Sequence, residues 1–66
     1  MNRSEVLVAV APAFRIGAPS RAELVLAAQD QAAPAELVSA LQQLPERQYN
    51  DVRDVWRALS RVHPDL

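Results

Sequence analysis

The chain has 66 residues, of which 50% are apolar and 23% charged, and it carries a net charge of −1 at pH 7. That balance argues against a dedicated nucleic-acid or membrane-surface protein, because such domains usually have a clear basic excess. With no Cys in the sequence, a disulfide framework and a thiolate metal site are excluded.

The longest apolar run, residues 6–11, is too short for a secretory core or a membrane span. We therefore expect a soluble, cytoplasmic protein with no membrane association. A chain of this length buries only about 60% of its unfolded surface, which indicates one small domain over residues 1–66.

A capping box opens the first predicted helix, because Asn2 and Glu5 stand at the required spacing ahead of the apolar run. The helix is predicted from about Arg3 to Ala11, and Pro12 should end or kink it.

The same run also has features of a strand, because Val6, Val8 and Val10 are β-branched and alternate. We favour a helix because no second strand of comparable strength is present to pair with it. Residues 13–16 are expected to add one turn, and Gly17 suits a left-handed position after it.

The second helix has the clearest start signal, since Ser20 and Glu23 again form a capping-box spacing. It should run from Arg21 to about Asp30. Its buried stripe is expected to consist of Leu24, Val25 and Ala28. Leu26 falls off that stripe, so it either widens the buried face or marks a contact outside the monomer.

The third helix is predicted from Ala35 to Leu44, with Pro34 at its first position, where the missing N–H costs nothing. Pro45 disfavours helical geometry at the residue before it and so ends the helix. One face of this helix carries Leu37, Val38, Leu41 and Leu44.

A polar turn leads into the last helix. Asn50 is the predicted N-cap and Asp51 places a negative charge in the first turn. Tyr49 then precedes the cap, where it can pack on Val55 as a hydrophobic staple. The alternative, a Tyr presented as a general acid or a stacking platform, has no partner in the sequence.

The last helix is predicted from Asp51 to about Val62, with Arg53, Arg57 and Arg61 as a charged stripe opposite its apolar face. Asp54 is placed to pair with Arg57. His63 is expected to act as a favourable charge at the helix C-terminus.

These elements predict an all-α fold, a compact bundle of three to four short helices. Trp56 is expected to be largely shielded from solvent. The predicted core is Leu24, Val25, Leu37, Val38, Leu41, Leu44, Val52, Trp56 and Leu59.

From Ser20 to Leu59 the chain resembles a family of short bacterial domains of unknown function. The shared pattern includes Ser20, Arg21 and Glu23 at the second helix and an L-P-x-R-x-Y core here formed by Leu44, Pro45, Arg47 and Tyr49. The resemblance implies a small helical module and supplies no activity or site residues. The chain departs from the family at Ala32, where the family has Gly between the middle helices.

We expect no enzyme activity, because no catalytic residues, cofactor loop or metal cluster can be recognised. The favoured function is a protein-interaction module that binds an unidentified protein partner or itself. Its possible partner surface comprises Leu26, Arg53, Arg57 and Arg61.

The alternative is a helix-turn-helix-like nucleic-acid-binding protein that uses the Arg53/Arg57/Arg61 stripe. We disfavour it because the would-be recognition helix carries no Lys or Arg. That helix would present Glu36, Ser39, Gln42 and Gln43.

Overall fold

The computed structural model describes residues 2–15 and 17–62, and this part of the chain forms four α-helices. They are α1 (Arg3–Val10), α2 (Arg21–Asp30), α3 (Ala35–Gln42) and α4 (Val52–Val62), with a 3-10 helix over Ala11–Arg15 after α1. The predicted all-α bundle is confirmed. The expectations for Ile16 and His63 lie outside the described residues.

The apolar run that also had features of a strand is helical and forms part of α1. The predicted capping box is present: the Glu5 N–H donates to Asn2 Oδ1 at 2.9 Å, and the Asn2 N–H donates to Glu5 Oε2 at 3.2 Å. The α-helix ends at Val10 and the chain continues as a 3-10 helix. Pro12 has no N–H to donate to the carbonyl four residues before it, so the α-helical ladder cannot continue.

Ser20 and Glu23 form the second capping box, which starts α2 as predicted. The Ser20 N–H donates to Glu23 Oε1 at 3.2 Å. Both helix starts predicted from this spacing are therefore confirmed.

A Schellman motif ends α2. The Ala33 N–H donates to the Ala28 carbonyl and the Ala32 N–H to the Gln29 carbonyl, each at 3.0 Å. Ala32 has a φ of 55°, the left-handed conformation that this motif usually gives to Gly. Ala32 therefore adopts a glycine-like backbone at a cost in strain.

The third helix is shorter than predicted. Pro34 is its N-cap instead of its first helical residue, and α3 ends at Gln42, before Leu44. Leu44 leaves the helix but stays buried, with 1% of its surface exposed. The predicted apolar face thus continues into the turn.

The core lies where α1 and α3 each pack against α2 and α4. Of the predicted core residues, the leucines are buried, whereas Val25, Val38, Val52 and Trp56 are only partly buried and pack against its edge. Trp56 lies at the edge of the core instead of inside it, because the buried face of α4 centres on Val55, Ala58 and Leu59. Ala28 is buried as its place in the stripe of α2 predicted, and the buried apolar residues that we did not place in the core include Val6, Ala9, Val10, Ala40 and Tyr49.

Candidate functional site: the motif turn and the faces of α1

Tyr49 holds the turn between α3 and α4, residues 43–51, which we call the motif turn, against the rest of the molecule. It is completely buried. Its hydroxyl donates to the Pro45 carbonyl at 2.6 Å, and its N–H donates to the Pro19 carbonyl at 2.8 Å. Tyr49 shares the core with Val55, in keeping with the staple interpretation. Burial raises the pKa of Tyr49, which makes its hydroxyl a poor proton donor to any substrate.

Arg47 covers Tyr49 on the solvent side. Its guanidinium carbon lies 4.1 Å from the centre of the Tyr49 ring. The same guanidinium forms a two-pronged ion pair with Asp54, with N–O distances of 3.0 and 3.1 Å. This pair and the hydrogen bond from the Asn50 N–H lower the pKa of Asp54, and the bond to Asp54 raises the pKa of Arg47.

Two predictions about this turn are wrong. The Asp54 carboxylate pairs with Arg47 instead of Arg57, whose positive charge only adds to the field at that carboxylate. The residue that caps α4 is Asp51 instead of Asn50, because Asp51 Oδ1 accepts from the Asp54 N–H at 2.8 Å. Asp54 reaches back to the Asn50 N–H at 3.1 Å, so the capping arrangement is shifted by one residue.

The start of α2 and the turn between α3 and α4 meet in space. Ser20 forms an antiparallel bridge with Gln48, next to the bond from Tyr49 to Pro19. Arg21 donates to the Leu44 carbonyl at 3.3 Å and approaches Glu46 at 3.4 Å. These contacts form a clamp between the start of α2 and the motif turn, and the polar groups of Ser20, Arg21 and Tyr49 are engaged in structural bonds.

The outer face of α1 is the most unusual surface. Leu7 is 48% exposed and Val8 63% exposed, although their neighbours Val6 and Ala9 are buried. Helices with apolar residues on all sides are normally covered on all sides. A groove of about 310 Å³ runs beside Val8. Its lining residues, from α1 and the α2–α3 connection, are Ser4, Glu5, Val8, Ala9, Gln31, Ala32, Ala33 and Pro34.

A second groove, which we call the α1–α4 groove, runs beside Leu7. It measures about 380 Å³ and is lined by Arg3, Ser4, Leu7, Val52 and Arg53. The Arg3 guanidinium carbon lies 5.9 Å from the centre of the Trp56 ring. Arg3, which lines this groove, therefore stacks over the ring of the partly buried Trp56.

The structure separates the residues that we predicted as a partner surface. Leu26 is 59% exposed, but it lines a different depression, with residues of α2 and the 3-10 helix. Arg53, Arg57 and Arg61 are all exposed on α4, and Arg53 lines the α1–α4 groove.

Arg3, Leu7 and Val8 were missed as surface residues. The available signal was the unbroken apolar run in α1, which places apolar side chains on its solvent side beside the polar Ser4.

In residues 2–15 and 17–62, no helix has the length and apolar character needed to cross a membrane. Within the same ranges, no three His, Cys, Asp or Glu side chains converge as a metal site would require.

These features define a small all-α domain whose third and fourth helices are joined by a turn locked by a buried Tyr and a stacked Arg. The chain belongs to a family of proteins of unknown function, DUF2795, whose sequence model matches residues 19–56. The matched segment begins at Pro19, which bonds Tyr49, and contains the whole clamp; α1 lies outside it. No curated protein and no solved structure matches the chain.

Proposed function

We propose that this protein is a non-enzymatic, cytoplasmic protein-interaction module of a bacterium, and that it binds its partner through the outer face of α1. The observation that carries the proposal is the exposure of two adjacent large apolar residues, Leu7 at 48% and Val8 at 63%. Two grooves flank them, so the surface has both a ridge and the concave borders that a partner can fill.

The energetic argument favours a partner. Burying a Leu or a Val side chain fully is worth about 1.5–3 kcal/mol relative to leaving it exposed. The exposed parts of the Leu7 and Val8 side chains do not contribute to the stability of the monomer. Covering both would supply a few kcal/mol, and contacts with the grooves would have to provide the rest of the roughly 8 kcal/mol of a micromolar complex.

The non-enzymatic part of the proposal is supported by the motif turn. Its most reactive polar groups, the Tyr49 hydroxyl and the Asp54 carboxylate, are engaged by Pro45 and Arg47. Neither is held beside a base or a nucleophile in the way that catalysis requires.

The test is photo-crosslinking in the source cell. A crosslinking residue at Ser4, which borders both grooves, should give a discrete protein adduct, and one at exposed Gln42 of α3 should not. The double variant Leu7→Gln, Val8→Gln should lose the adduct without a fall in melting temperature. Leu26→Gln is the matched control and should keep it. Loss of the adduct in the control alone would refute the α1 surface.

A nucleic-acid-binding function is the second candidate, because Arg53, Arg57 and Arg61 are exposed along one helix. Contacts from all three to phosphates would give a plot of log affinity against log salt a slope of up to about −2.7. We expect no binding of labelled duplex or single strands at micromolar protein, even at about 50 mM salt. Binding that disappears in the triple Arg→Ala variant, at unchanged melting temperature, would favour this function over protein interaction.

A further inference from the structure

We propose that the α1–α4 groove binds an acidic segment of a partner protein, in which carboxylates flank a hydrophobic side chain. The inference rests on the protein-interaction role proposed above and names the chemistry of the partner. The groove supplies both kinds of contact, because the half-exposed Leu7 lines it together with Arg3 and Arg53.

The groove is positive although the chain as a whole carries a net charge of −1. Both of its charged lining residues, Arg3 and Arg53, are arginines. The acidic residues at the starts of α1 and α4 do not line the groove and are engaged in internal bonds. Glu5 and Asp51 each accept a backbone N–H, and Asp54 binds the Arg47 guanidinium. The surface left to a partner is therefore complementary to carboxylates.

The positions of the two arginines support the same conclusion. Arg3 is the first residue of α1 and Arg53 the second of α4. A cation in the first turn is opposed by the helix macrodipole, which favours an acidic residue there. Each arginine is therefore unfavourable for its own helix, and a bound carboxylate would reverse that interaction.

The other possible occupants fit less well. A symmetric contact with a second copy would bring the same patch of each molecule together, so that Arg3 and Arg53 would face arginines. A nucleic-acid backbone would satisfy the arginines but offers no apolar group for Leu7. A peptide with acidic and hydrophobic side chains satisfies all three residues.

The experiment is an NMR titration of the isotope-labelled full chain with an acetylated helical peptide of Glu and Leu, with the Leu residues on one face. Two matched peptides replace every Glu by Gln or every Leu by Ser. We expect the Glu–Leu peptide to bind with a dissociation constant on the order of 100 μM, and both matched peptides to bind more weakly. The largest shift changes should fall on Leu7, Val52, Arg53 and the Trp56 indole.

Matched arginine variants test the site. Arg3→Gln combined with Arg53→Gln should weaken binding about tenfold, since an exposed ion pair is worth up to about fivefold. Arg61→Gln makes the same change in the last turn of α4 and should leave binding unaltered. The inference is overturned if the Gln peptide binds equally well, if Arg61→Gln weakens binding as much, or if the chain associates with itself through these residues.

Failure of this inference can be told apart from failure of the proposed function. A cellular adduct that is lost in the Leu7→Gln, Val8→Gln variant but kept in the Arg3→Gln, Arg53→Gln variant would leave the interaction role standing and refute the acidic partner. An adduct that survives both changes would refute both.

Discussion

Replacing Ala32 by Gly should stabilise this protein, although Gly usually weakens a fold. Ala32 has a φ of 55° at the end of α2, and its side chain is exposed. Left-handed backbone costs an L-residue with a Cβ about 1–2 kcal/mol, a strain that Gly does not have. Removing the exposed methyl group sacrifices little buried surface.

The expected gain is smaller than the strain itself. Gly gives the unfolded chain more conformational freedom, which costs about 0.4–1 kcal/mol of stability. The net increase in the free energy of unfolding should therefore be about 0.5–1 kcal/mol. For a domain of this size, that corresponds to a rise in melting temperature of about 2–8 °C.

The matched control is Ala22→Gly, the same chemical change at an exposed position of α2. There the helical backbone suits Ala, so the variant should lose up to about 1 kcal/mol. Because the unfolded-state effect is common to both, the difference between the two variants measures the strain at Ala32. Thermal and urea unfolding followed by circular dichroism would give both values. If Ala32→Gly is destabilised as much as Ala22→Gly, the left-handed turn is wrong.

Three further changes test the core and the motif turn. Leu41→Ala should cost roughly 2–5 kcal/mol because Leu41 is fully buried, whereas exposed Leu26→Ala should stay within about 0.5 kcal/mol; melts that agree within a degree or two would contradict the core. Tyr49→Phe should lose about 1 kcal/mol in urea unfolding, for the hydrogen bond to Pro45, and an unchanged midpoint would argue against that bond. Asp54→Asn should be less stable than the parent at pH 7. The pKa of Asp54 is lowered by folding, so its contribution is present above the ordinary carboxylate pKa and disappears as the pH falls through the folded value. The gap between the two melting temperatures should close in acid, and a gap that is constant with pH would refute the ion pair.

The sequence determined the features that depend on neighbours within one turn of chain. Both capping boxes join residues three apart, so the starts of α1 and α2 could be read from residue types alone. Pro45 likewise marked the end of the third helical segment, although the helix stops earlier, at Gln42. The burial of Leu24 in α2 and of Leu37 and Leu41 in α3 also followed from their helical spacing.

Only the tertiary structure decided which side of each helix was covered and which partners the polar groups of the turn chose. The bond from Tyr49 to Pro19 and the two-pronged ion pair of Arg47 with Asp54 join residues that lie further apart in the chain than one helical turn. Once the Arg47 guanidinium lies on the Tyr49 ring, two of its nitrogens reach the Asp54 carboxylate. This ion pair replaces the pairing of Asp54 with Arg57 that the local sequence favours. The same holds for α1, whose apolar residues surround the helix: packing on α2 and α4 buries Val6 and Ala9 and leaves Leu7 and Val8 in solvent. Within the unbroken apolar run that starts at residue 6, helical periodicity cannot choose a buried face, and the neighbouring helices decide it.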